Sequence, residues 1–81
     1  MEPIIEYPCE WEYRIIGGDE DAMRRAVSAI FAGHAYTLTL LNVSAKGAYI
    51  SLSLQCVAAS EEERLSLYSL LAKHPAIKMV L

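Results

Sequence analysis

The side chains able to do chemistry in this 81-residue chain are few and scattered. Cys9 and Cys56 are far apart and fit no C-x-x-C spacing, which argues against a metal site or a redox pair. His34 and His74 each follow a helical stretch, where a partial positive charge is favourable, and neither has a cysteine or carboxylate nearby in sequence at ligand spacing. Glu61-Glu62-Glu63 reads as a solvated helix start rather than an acid–base pair. Ser51 and Ser53 have no histidine beside them, and no nucleophile elbow exists. No catalytic residue, metal site or cofactor is expected, and the chain reads as a non-enzyme.

Two glycine-containing stretches raise binding questions. Lys46-Gly47 invites comparison with RNA-recognition sheets, in which bases stack on aromatic strand residues. The matching positions here are Ala48 and Ile50, and Tyr49 falls on the alternate face. Net charge is −3 and the seven Lys and Arg form no run, so nucleic acid is excluded as a partner. Gly17-Gly18-Asp19 joins an alternating segment to a helical one; a glycine pair lets a ligand approach the backbone, and a helix start favours anions. Asp19, Glu20 and Asp21 already bring negative charge to that end, and a turn with a cap accounts for them without a ligand.

The elements that must position these groups follow from hydrophobic periodicity. Residues 1–9, with Pro3 and Pro8, form an irregular lead-in that Ile4, Ile5 and Tyr7 pin to the body, and Cys9 sits there exposed, read as an incidental free cysteine with a reactive thiol as the alternative. Glu10 to Ile16 alternates, with Trp11, Tyr13 and Ile15 on one side, and predicts the first strand. Asp19 caps a helix over Glu20 to Ala32, with Met23, Ala26, Val27, Ile30 and Phe31 at helical spacing and Gly33 as a left-handed stop. Ser60 and Glu63 match a capping box before a second helix, whose stripe is Leu67, Leu70 and Leu71 with Tyr68 beside it, and His74-Pro75 ends it. Ala76 to Leu81 is a short closing strand.

Between the helices, Tyr36 to Val57 reads as a hairpin turning at Ser44-Ala45-Lys46-Gly47. After the turn Ala48, Ile50, Leu52, Leu54 and Cys56 alternate with polar residues and form a buried face. Before it, Tyr36 to Leu41 is aromatic, β-branched and apolar. An odd loop puts Leu38 and Leu40 inside and turns Leu41 and Val43 out; an even loop puts Leu41 and Val43 inside and turns Tyr36, Leu38 and Leu40 out. Either register leaves apolar residues exposed on an edge strand beside Tyr49. Tyr36, Leu38, Leu40, Leu41, Val43, Lys46, Tyr49 and Ser51 are therefore the candidate interaction surface, for a protein partner or a homodimer, together with the open sheet face.

The resulting β-α-β-β-α-β order predicts an α+β, ferredoxin-like sandwich: one domain over residues 1–81, an antiparallel sheet of order 4-1-3-2, and two helices on one face. A chain this short buries only about 60% of its unfolded surface, so every element shares one core. With 54% apolar residues, some apolar surface stays outside that core. The N-terminus lacks the pattern of a signal peptide and no run approaches the length of a bilayer span, so no membrane attachment is expected. A cytoplasmic location follows, in which a disulfide is not expected.

Tyr7 to Gly17, then Ser44-Ala45-Lys46-Gly47-Ala48-Tyr49-Ile50-Ser51, then Leu67-Tyr68 and the ending Ile77 to Leu81 resemble the YbeD-like family of small bacterial proteins over nearly the whole chain. The pre-turn strand departs from that family in its richness in leucine. The resemblance implies a ferredoxin-like fold close to the ACT regulatory domains, a cytoplasmic location and no established activity. It also implies a regulatory role with a lipoate or amino-acid effector, which by analogy with ACT modules would sit at Gly17, Gly18 and Asp19.

Overall fold

The alternation of Glu10 to Ile16 is realised as a strand. In the computed structural model, which describes residues 5–81, β1 spans Cys9–Gly17, with Tyr13, Ile15 and Gly17 buried and Glu10, Glu12 and Arg14 exposed. Cys9 therefore belongs to the sheet, opposite Ala58, and not to the lead-in. Residues 5–8 carry no regular structure; Ile5 is exposed, whereas the Tyr7 hydroxyl accepts a 2.9 Å hydrogen bond from Arg64 Nε. Ile4 lies outside the described residues.

Helix α1 (Glu20–Ile30) begins as the cap predicts, with Asp19 Oδ1 accepting from the Ala22 N–H at 3.2 Å and Glu20 bridging Arg24 at 2.7 Å. It stops two residues before Ala32 because Phe31 leaves helical geometry and serves as the C-cap; Gly33 then takes a φ of +85° to turn the chain. Helix α2 (Glu61–Lys73) starts on Ser60, whose Oγ accepts from the Glu63 N–H at 3.1 Å, while Glu63 Oε1 reaches the N–H of Ala59, one residue earlier than the capping box expects. Leu67 and Leu71, one turn apart, form its buried line. Leu70, rotated off that line, is exposed, so the expected stripe is narrower than three leucines.

Strands β2 (Tyr36–Val43), β3 (Ile50–Ala58) and β4 (Met79–Val80) complete one antiparallel sheet of order β2-β3-β1-β4, the expected 4-1-3-2 read from the other side. β4 is shorter than Ala76 to Leu81 because Ile77, buried, still belongs to the turn leaving α2. The helices cover one face. Tyr13, Ile15, Met23, Val27, Phe31, Leu52, Leu54, Leu67, Leu71 and Val80 form the shared core between them and the sheet. Among the described residues the other face is uncovered and mostly polar, carrying Glu12, Arg14, Ser53, Gln55 and Thr39; Ser53 is nonetheless buried there and donates to Glu12 Oε2 at 2.9 Å.

The hairpin takes neither register alone. Val43 pairs with Ile50 across a six-residue loop, Ser44 to Tyr49, and a β-bulge then intervenes between Leu40 and Asn42. Leu41 has no cross-strand partner, and beyond it Leu40, Leu38 and Tyr36 pair with Leu52, Leu54 and Cys56. The extra residue shifts the alternation by one, so Val43 and the Tyr36–Leu38–Leu40 set share the helix-covered side. Ala48, expected in the buried face, is instead an exposed loop residue. Ser44 closes the loop: its N–H donates to the Tyr49 carbonyl at 2.9 Å, its Oγ accepts from the Tyr49 N–H at 3.1 Å, and Gly47 supplies a φ of +68°.

Candidate functional site

Strand β2 forms one edge of the sheet and lies beyond the helical layer, so facing the helices does not bury it. Its contact with that layer is the Phe31 ring against Tyr36, with centroids 5.7 Å apart. Leu38 alone of the β2 leucines packs against the core, half-buried. Leu40, Leu41 and Val43 remain 45%, 45% and 46% exposed, and Tyr49 at the loop exit 55%. Lys46 is exposed at the loop tip and Ser51 is half-buried. Tyr36, Leu38, Leu40, Leu41 and Val43 thus lie along this edge and Lys46 and Tyr49 in the loop beside it, whereas Ser51, on β3 opposite Asn42, faces the uncovered side of the sheet. The Lys78 ammonium lies 5.0 Å from the Tyr49 ring centre, a cation–π contact that ties this surface to the segment before β4.

The Gly17–Gly18–Asp19 junction has a different geometry. A Cβ on Gly17 would stand 2.6 Å from the Ala76 carbonyl oxygen and 2.7 Å from Met23 Sδ, so the missing side chain makes room for packing. Gly18 is open, with Lys78 Nζ 3.5 Å from the same notional position and the Ala48 carbonyl oxygen at 3.7 Å. The Asp19 carboxylate is engaged as the cap of α1.

A third feature was not legible in the sequence. Trp11, Tyr13, Leu65, Tyr68 and Leu81, with Glu12 and Arg64, line an apolar groove of about 360 Å³ between β1 and α2. The Arg64 guanidinium lies 4.3 Å from the Trp11 ring centre, and its carbonyl accepts the Tyr13 hydroxyl at 2.6 Å. The Tyr7 hydroxyl, with Glu61 nearby, holds the Arg64 guanidinium further toward its charged form. Leu65 and Tyr68 sit at i and i+3 on the side of α2 turned from the core, a signal masked because leucines surround the whole helix.

The remaining candidates are dispersed. His34 Nδ1 lies 3.9 Å from Glu63 Oε1, and His74 Nδ1 accepts from the Ala76 N–H at 3.1 Å, fixing the turn after α2. Burial raises the pKa of the Cys56 thiol. Among the described residues no three His, Cys, Asp or Glu side chains converge as a metal site, and no helix is long and apolar enough to cross a membrane.

Four antiparallel strands under two helices in βαββαβ order define a ferredoxin-like fold, the fold that ACT domains also have. The chain superposes on the ACT domain from the GTP pyrophosphokinase of Chlorobium tepidum with a TM-score of 0.64 over 89% of this chain and 94% of that one, at 18% identity. It superposes on the solution structure of HP0495 from Helicobacter pylori with a TM-score of 0.84 over 99% and 88%, at 22% identity. Residues 2–81 match the model of DUF493, a protein family of unknown function, and the chain belongs to that family. Relatives include a UPF0250 protein of Nitrosomonas europaea, 36% identical over 99% of this chain and 97% of that protein. A UPF0250 protein of Shewanella amazonensis is 30% identical over 100% and 94%. The YbeD-like resemblance and the fold it implied are both borne out.

Proposed function

We propose that this protein is a non-enzymatic, cytoplasmic regulatory module that works by protein–protein contact through the β2 edge. The observation that carries this reading is the exposure of Leu40, Leu41 and Val43 on an edge strand. An edge strand presents unpaired main-chain groups, and an apolar one left uncovered favours pairing with another chain. The occupant is a strand of a second copy or of a partner protein. Pairing by main-chain hydrogen bonds supplies affinity, and the leucine side chains supply selectivity. Two free cysteines, one of them buried in the core, accord with a reducing compartment.

Sedimentation and partner capture with Leu40→Lys and Tyr49→Ala test this reading. Both residues are exposed, so the variants keep the fold while the lysine places a charge on the apolar edge. Loss of assembly or of capture supports the proposal; unchanged assembly and capture in both variants would overturn it.

A second reading, a small-effector module at Gly17, Gly18 and Asp19 for a lipoyl or amino-acid ligand, draws on the Lys78 ammonium beside Gly18. That cation and the start of α1 together offset the local carboxylates toward an anionic group. A thermal-shift series with lipoate and amino acids at millimolar concentration separates the readings. A ligand at ~100 times its Kd adds about 2.7 kcal/mol of stability, and no shift argues against the effector.

A further inference from the structure

β4 covers only part of β1. Its pairs are Ile15 with Val80 and Ile16 with Met79, and Leu81 exchanges two backbone hydrogen bonds with Arg14, at 3.1 and 2.8 Å. β1 continues to Cys9. In an antiparallel ladder the main-chain groups of alternate residues point to the same side. Arg14 turns its N–H and C=O toward β4, so Glu12 and Glu10 do likewise, and no backbone group among the described residues meets them there. Among the described residues this stretch of β1, Cys9 to Tyr13, is therefore a second open edge of the sheet.

That edge is chemically two-sided. Toward the helices it borders the groove of Trp11, Leu65, Tyr68 and Leu81, in which Leu65 and Tyr68 are about half exposed. Toward the uncovered face it carries the exposed carboxylates of Glu10 and Glu12. Arg14 Nη2 reaches Glu12 at only 3.8 Å, and Glu10 makes no ion pair among the described residues. The charged group on the helix side, Arg64, is already engaged by Tyr7, Trp11 and Glu61.

We propose that the Cys9–Tyr13 edge of β1 is a strand-addition site for an extended partner segment of alternating apolar and basic residues. The segment runs antiparallel to β1, alongside Tyr13 to Cys9. Residues opposite Tyr13 and Trp11 place apolar side chains in the groove, and those opposite Glu12 and Glu10 are lysine or arginine. A second copy is the wrong occupant: two β1 edges paired about Trp11 would set Glu10 of each against Glu12 of the other, with like charges directly opposed. The site is separate from the β2 edge, whose uncovered-face positions Thr37 and Thr39 bear no charge.

The test is a titration of the intact, isotopically labelled protein, followed by its backbone amide signals, with a capped six-residue peptide alternating valine and lysine. The same peptide with glutamate for lysine is the control. The expected result is movement of the Glu10 and Glu12 amides, slower hydrogen exchange at both, and binding about tenfold weaker for the glutamate peptide. Glu10→Lys, an exposed change, narrows that preference. Four results overturn the proposal: no movement at Glu10 and Glu12 up to millimolar peptide, movement at β2 instead, equal binding of the two peptides, or peptide-free, concentration-dependent movement at Glu10 and Glu12.

Discussion

The Tyr13 hydroxyl donates a 2.6 Å hydrogen bond to the Arg64 carbonyl, joining the central strand β1 to the first turn of α2. Tyr13 is otherwise buried against Phe31, whose ring meets it edge-on at 6.5 Å. Burial disfavours the phenolate, and the neighbouring Cys56 thiol adds to this; together they push the Tyr13 pKa from its ordinary 10.0 up to about 12. The stabilisation is fully present below pH 10 and is lost as pH rises toward 12. In an ultraviolet titration Tyr13 ionises late, near its raised pKa of about 12, and Tyr13→Phe removes that late step. The same variant loses about 1 kcal/mol of stability with the hydrogen bond.

Adjacent glycines respond oppositely to a methyl group. Gly17→Ala pushes a Cβ into the Ala76 carbonyl and the fully buried Met23, at a cost of roughly 1–3 kcal/mol for overpacking. Gly18→Ala meets nothing closer than the flexible end of Lys78 at 3.5 Å and changes stability by less than about 0.5 kcal/mol. Denaturant midpoints of the two variants, compared with the parent, check this contrast.

The contrast marks the limit of what the chain discloses. A glycine pair between a strand and a cap signals a turn; that Gly17 serves packing is known only once the Ala76 carbonyl is placed against it. Strands β1 and β3, both caps and the sheet order were readable, because period-two alternation and the Ser60–Glu63 and Asp19 signals are local. The bulge at Leu41 was not: a run of leucines has no polar alternation to reveal a shift of one. Nor was the groove beside Trp11, since it depends on how Leu65 and Tyr68 of α2 are set against β1 and Leu81.

Ser60→Ala removes the acceptor for the Glu63 N–H and costs about 1 kcal/mol, read as a lower thermal midpoint. Asp19→Ala, which frees the Ala22 N–H and removes a carboxylate from the positive end of α1, has a loss of similar size.

The two cysteines differ in reactivity. Cys56 is buried and its thiol is raised in pKa by that burial, whereas Cys9 is partly exposed on β1. At pH 8 a thiol reagent modifies Cys9 first, and Cys56 reacts at a comparable rate only in denaturant.

The central claim is that the apolar β2 edge is a surface for another chain. Capture from an extract of native cells, with tagged wild-type protein and tagged Leu40→Lys side by side, measures it most directly when untagged copies and other proteins are both quantified. The account predicts that the wild type retains either its own untagged copies or a defined partner, and that Leu40→Lys loses what the wild type retains. Equal amounts of the same proteins on both would contradict it.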